Sequence, residues 1–206
     1  MTGNSLTTED VTVYAAAVRS IEPLQDRELQ LGLDLVQART LARGEHLLRG
    51  GQKAKAVALV VRGLLREHFV LPDGLERTKA FVVEGQFSGS LADLLALNAS
   101  RAFIVAEEPC RLLVAPFDAY RALALRSAAW DRFSRRSVER VLLGKAEREY
   151  ELLGLDAEAR YAAFVTRYPG LEARVAARHV ASYLGITPVH LSRLRRKRRD
   201  RRRGSR

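Results

Sequence analysis

The sequence predicts an α+β fold, with an N-terminal antiparallel β-roll, one long helix and an all-α C-terminal segment built on a helix-turn-helix. Three observations carry this. Short apolar runs alternate with glycine corners between Thr40 and Val114; the stretch Phe117 to Leu153 holds no proline and one glycine, Gly144; and helical texture resumes after Pro169-Gly170, ending in arginine. The domain division expected from these changes of texture is 1–116, 117–154 and 155–206.

Residues 7 to 38 read as one or two short amphipathic helices around Pro23, with Val18, Ile21, Leu24, Leu29, Leu31, Leu33 and Leu35 as apolar positions. From about Thr40, Arg43-Gly44, Gly50-Gly51, Arg62-Gly63, Pro72-Asp73-Gly74 and Glu84-Gly85 punctuate strands such as Val57 to Val61, Leu64 to Leu71 and Thr78 to Val83. Pro72-Asp73-Gly74 is the best hairpin signal, since proline presets the turn dihedral and glycine accepts positive φ. A short helix is expected at Leu91 to Leu97, then strands at Ala102 to Ala106 and Arg111 to Val114. The helix expected over Phe117 to Leu153 has Trp130, Phe133, Val138, Val141, Leu142 and Leu152 as an apolar stripe. Its length suggests pairing with a second copy, although charged residues between Glu147 and Glu151 leave the heptads impure. Gly154-Leu155-Asp156 breaks it, and helices follow at Ala157 to Tyr168, Ala173 to Leu184 and Pro188 to about Arg198.

Charge is localised. Of 35 Lys and Arg, ten fall in residues 193 to 206, against one acid, Asp200; the other 192 residues hold 25 basic and 23 acidic side chains. A basic block on a nearly neutral body calls for a polyanionic partner, because clustered cations gain by releasing the counterions condensed on phosphates. Cys110 is the only cysteine, which leaves no intramolecular disulfide and no four-thiolate cluster, and fits a reducing, cytoplasmic setting. The amino terminus lacks a basic segment followed by an apolar run, so neither export nor membrane spanning is expected. His46 and His68 are lone histidines in strand-rich segments, read as structural rather than as haem ligands. No phosphate-cradling glycine loop, metal-spaced cluster or nucleophile motif points to an enzyme.

The informative segment is Ala177 to Arg196. Two helices crossing steeply need a small residue where their backbones approach, and Ala181 supplies it; the turn four residues later needs left-handed φ, and Gly185 supplies that. Val180, Leu184, Ile186, Leu191 and Leu194 then close one small core. Thr187 is a good cap, and Pro188 at the first helical position gives up an N–H that has no helical partner anyway. Thr187, Pro188, Val189, His190, Ser192, Arg193, Arg196 and Lys197 are left facing out, with His190, Arg193 and Lys197 on one face. Arginine bonds a guanine edge bidentately, while Ser and His reach bases or phosphates, so this face suits the major groove of double-stranded DNA.

On these residues the chain resembles the Crp/Fnr regulators, whose sensor is a cyclic-nucleotide-binding-type roll. The resemblance runs from about Leu29 to Lys197, and its most specific parts are Val180 to Pro188 with Leu191-Ser192-Arg193, and Glu84 to Leu91. It implies a homodimer bound to two-fold DNA, a small-molecule effector, and RNA polymerase as a candidate partner. It also places the effector pocket on Gly89, Ser90, Leu91, Ser100, Arg101 and Ala102. Members that bind cyclic AMP carry Phe-Gly-Glu and then Arg-Ser-Ala, the Glu holding the ribose and the Arg the cyclic phosphate. Here Ser90 and Ser100 stand at those two positions and Arg101 is one residue out of register, which in a strand reverses its direction. No Ser or Thr lies between Val138 and Leu153 to meet a purine. The expectation is a degenerate pocket and no cofactor. Where relatives add a β-hairpin wing, this chain runs into arginine, which is expected to grip phosphates instead. The competing reading is a ligand-sensing module that regulates a protein or binds RNA through its basic end.

Overall fold

The computed structural model describes residues 5 to 204, with side chains as far as Arg201; the last arginines of the expected phosphate grip lie outside the described side chains. Helix α1 (Thr8–Arg19) starts at a reciprocal cap, in which Thr7 Oγ1 accepts from the Asp10 amide and the Asp10 carboxylate accepts from the Thr7 amide. Helix α2 (Asp26–Leu33) follows the Pro23 break. The sequence reads as helical to residue 38, but Gln37–Leu41 is already strand β1, because it pairs antiparallel with β8 (Cys110–Pro116), far away in the chain.

The roll is two four-stranded antiparallel sheets. One has the order β1, β8, β3 (Ala56–Arg62), β6 (Phe87–Ser88); the other is β2 (His46–Leu48), β7 (Ala102–Ala106), β4 (Leu65–Val70), β5 (Glu76–Val82). The β4–β5 hairpin turns at Pro72 to Gly74, where Gly74 takes φ +80°. Side-chain alternation sets the two faces of β3. Ala58 and Val60 join Leu65, Val82, Ile104 and Leu112 between the sheets, whereas Leu59 and Val61 face the helices.

That outer face is covered by α1, α2, α4 (Phe117–Arg126) and the start of α5 (Ala128–Gly154), around Tyr14, Val18, Leu29, Leu113, Leu123 and Trp130. The single helix expected over 117–153 is therefore divided at Ser127. That residue is extended, its hydroxyl accepts from the Trp130 amide at 3.3 Å and donates to Glu28 at 2.7 Å, and α5 sets off from it in a new direction. Trp130 can then lie over Gly32, where any Cβ would come within 2.3 Å of its ring, with its indole N–H on the Glu28 carbonyl at 2.9 Å. A third core joins roll to C-terminal helices: Leu64 and Phe81 pack with Phe164, Tyr168, Tyr183 and Leu184. Helices α3 (Leu91–Ala96), α6 (Ala157–Arg167), α7 (Ala177–Leu184) and α8 (Pro188–Gly204) complete the chain. Leu171–Ala173 is a short 3-10 turn, so α7 starts four residues later than the pattern suggested; α8 continues through the arginine run to Gly204.

Candidate nucleic-acid interface and sensor pocket

Helices α7 and α8 meet as the spacing requires. Ala181 is buried at the crossing, Gly185 turns with φ +68°, and the Ile186 amide returns to the Ala181 carbonyl at 3.0 Å. The His190 amide donates to Thr187 Oγ1 at 3.2 Å, which caps α8. With Leu191 and Leu194 buried beneath, all eight residues Thr187, Pro188, Val189, His190, Ser192, Arg193, Arg196 and Lys197 are exposed. Their cations are not equivalent. Arg193 and Arg196 make no ion pair among the described residues, whereas Lys197 donates to Glu158 at 2.5 Å. On the rear of α8, Arg195 pairs with Glu172 at 2.8 Å and Arg198 lies over the Tyr161 ring.

The pair is docked on the roll through contacts that no local pattern announces. The Ser182 hydroxyl accepts from the Thr78 amide at 2.9 Å and donates to the Glu76 carbonyl at 3.0 Å, so α7 satisfies polar groups of β5, the strand at the sheet's edge. Arg174 bridges Glu84 and Glu108. Beneath, the buried guanidinium of Arg66 spans Glu107 at 2.5 Å and Glu76 at 2.7 Å, with His68 and His179 alongside. His68 and His46 flank the Phe103 ring, a packing role. Burial first, then the Arg66 charge, pushes the His68 pKa down to about 4 and lowers that of His179. Burial raises Cys110 to about 11, well away from the thiolate range.

In the roll, the six expected pocket residues do come together, but around an acid. Ser90 Oγ donates to Asp93 Oδ2 at 2.5 Å and Ser100 Oγ donates to the same oxygen at 2.9 Å; both serines are buried, as is Ala102, while Arg101 is exposed. Gly89 and Leu91 flank Ser90 at the entry to α3. Burial opposes the charge on Asp93, yet the two hydroxyls outweigh it and hold the carboxyl below its usual range. An anion thus sits among the groups expected to receive a cyclic phosphate, and the Arg101 amide and charge also favour it while the Arg101 side chain stays exposed. Asp93 was missed because its role depends on Ser100, seven residues on, being folded back over it.

Beyond Trp130 and Phe133, α5 keeps one side against the protein, through Arg136 on Glu22 and Arg148 on Tyr183, and leaves the other uncovered. Leu142, Leu143, Tyr150 and Leu153 are all at least 60% exposed, an apolar strip about three turns long. Val138 and Val141 instead line a groove of about 780 Å3 between α5, α4 and the β6–α3 segment.

This architecture defines a class: a β-roll joined by a long helix to a compact helical domain. Residues 38–127 match the family model of the cyclic nucleotide-binding domain. The solved structures it is similar to include FixK2 from Bradyrhizobium japonicum, at TM-score 0.71 and 18% identity over 81% of this chain and 85% of that one. A CooA mutant from Carboxydothermus hydrogenoformans gives TM-score 0.65 and 19% identity over 82% and 78%. The catabolite activator protein of Thermus thermophilus gives 0.55 and 24% over 86% and 85%. No curated protein is significantly similar in sequence. Residues 38–127 therefore form a cyclic nucleotide-binding-type domain, and the chain as a whole shares the fold of these solved structures. Among the described residues no helix is long and apolar enough to cross a membrane.

Proposed function

We propose that the chain is a dimeric, cytoplasmic, non-enzymatic transcription regulator in which α7 and α8 form a helix-turn-helix and α8 enters the major groove of DNA. The observation that carries this is the sorting of α8: Leu191 and Leu194 are buried, while Thr187, Pro188, Val189, His190, Ser192, Arg193 and Arg196 form one open face. Arg193, which makes no ion pair among the described residues, is the residue best placed to bond a base edge. The roll of residues 1–116 acts as sensor, 117–154 as the dimerisation segment and 155–206 as the DNA-binding part. Pairing of two α5 strips sets two α8 helices roughly 34 Å apart, one turn of B-DNA. The buried Ser90–Asp93–Ser100 group, an anion where the resemblance puts a phosphate-binding arginine, argues against a cyclic nucleotide as the effector.

The test is a binding titration of the purified chain against a pool of genomic fragments. Recovery of a shared two-fold motif supports the reading. Equal affinity for every fragment would overturn it.

A further inference from the structure

The cationic stripe of α8 has an acid built against it from outside the helix. His190, Arg193, Lys197 and Arg201 recur at i, i+3, i+7 and i+11, so they follow one side of α8. At the second residue of α6, Glu158 meets the distal half of that side: its Oε2 receives Lys197 Nζ at 2.5 Å and its Oε1 receives Arg201 Nη1 at 2.5 Å. Between these helices lies a cleft of about 640 Å3, walled by Asp156 and Glu158 on one side and by His190, Arg193 and Lys197 on the other. Position and partners both keep Glu158 ionised. The amino end of a helix favours a carboxylate, and the Lys197 hydrogen bond holds its pKa below the usual range.

A carboxylate gripping two cations of the DNA-facing stripe occupies them as a backbone phosphate would. We propose that Glu158 is an intramolecular phosphate mimic, which Lys197 and Arg201 must exchange for a DNA phosphate on binding, and that it thereby limits affinity for DNA of any sequence. This rests on α8 being the DNA-reading helix. The consequence is selective. Non-specific binding draws essentially all its free energy from phosphate contacts, so masking two of them weakens it directly, whereas base contacts from Arg193 lie outside the masked pair. Glu158 is thus a specificity-determining residue that makes no contact with a base.

The experiment compares the full chain with Glu158→Gln and with Glu158→Gln in a Lys197→Gln/Arg201→Gln background, using random-sequence duplex over a range of salt. Circular dichroism checks that each variant keeps its helices. Glu158→Gln is expected to bind random DNA about three- to ten-fold more tightly, with log K against log salt steeper by about 1 to 2. The gain should vanish when Lys197 and Arg201 are absent. If the native chain binds DNA and Glu158→Gln leaves both affinity and slope unchanged, or the gain persists without the two cations, the mimic is overturned while the DNA-binding reading stands. If the native chain binds no duplex at any salt, the parent reading falls and takes this one with it.

Discussion

Arg193 and Arg199 both carry an exposed guanidinium on α8, but only Arg193 belongs to the first two turns, above the buried Leu191 and Leu194 that fix the helix. Arg193→Ala is expected to cost about 1 to 3 kcal/mol on the selected DNA site and clearly less on random duplex, while Arg199→Ala weakens both alike. Competition binding on the two DNAs reads this difference, and equal losses from the two substitutions would remove Arg193 from base recognition. In the roll, Asp93 with Ser90 and Ser100 makes an equally sharp statement. A ligand that binds only the folded state raises stability as RT ln(1 + [L]/Kd), so millimolar cyclic AMP is expected to leave the melting temperature where it is. A rise of several degrees would show that the Asp93 carboxylate yields to the phosphate.

Among the elements, α5 is the one whose packing changes along its length. Its first turns are held by Trp130 and Phe133, and its last ones end on the buried Glu151, which accepts from Arg148 at 2.9 Å and Arg167 at 2.5 Å. On the open side of its second half, Leu142, Leu143, Tyr150 and Leu153 form an apolar strip with no cover. Replacing Leu143 and Tyr150 together by Glu is expected to convert a dimer to monomers in sedimentation equilibrium without lowering helix content, since neither residue is buried in the chain. Monomers before the substitution would remove α5 as a dimer interface. The strip is visible in the sequence only in part. The sequence puts Val138, Val141 and Leu142 on one apolar stripe, whereas in the structure Leu142 lies on the exposed strip and Val138 and Val141 line a groove with α4 and the β6–α3 segment.

At the scale of the whole molecule, the roll and the C-terminal helices are joined across a charged, buried seam. His68 on β4 faces Arg66 of its own strand, Glu76 of β5, His46 of β2 and His179 of α7; His179 in turn faces Glu107, Arg66 and Arg178. Histidine in an unfolded chain titrates near 6.5, whereas His68 in the fold titrates at about 4, so the unfolded chain binds more protons as pH falls. The contribution is complete above pH 6.5 and is lost between pH 6.5 and about 4. Thermal unfolding is therefore expected to show the chain less stable at pH 5 than at pH 7, by on the order of 2 kcal/mol from His68, and His68→Gln should flatten that dependence. Equal stability at the two pH values in the native chain would mean that the seam admits water and the histidines titrate normally.

Much of this was legible from residues alone, and for one reason. Alternation in β3, the Pro72 to Gly74 turn, the Thr187-Pro188 start of α8 and the Ala181 to Gly185 crossing are all local, decided by backbone sterics and by partners within a few positions. Such signals survive in a linear string. Tertiary structure alone decided that Ser127 divides the helix because Glu28 awaits its hydroxyl, and that Ser182 caps β5 from 104 residues away. The same holds for Lys197, drawn aside by Glu158, 39 residues earlier in the chain. These are hydrogen bonds and ion pairs between groups that only the closed core brings within reach, and no period or spacing in the chain encodes them.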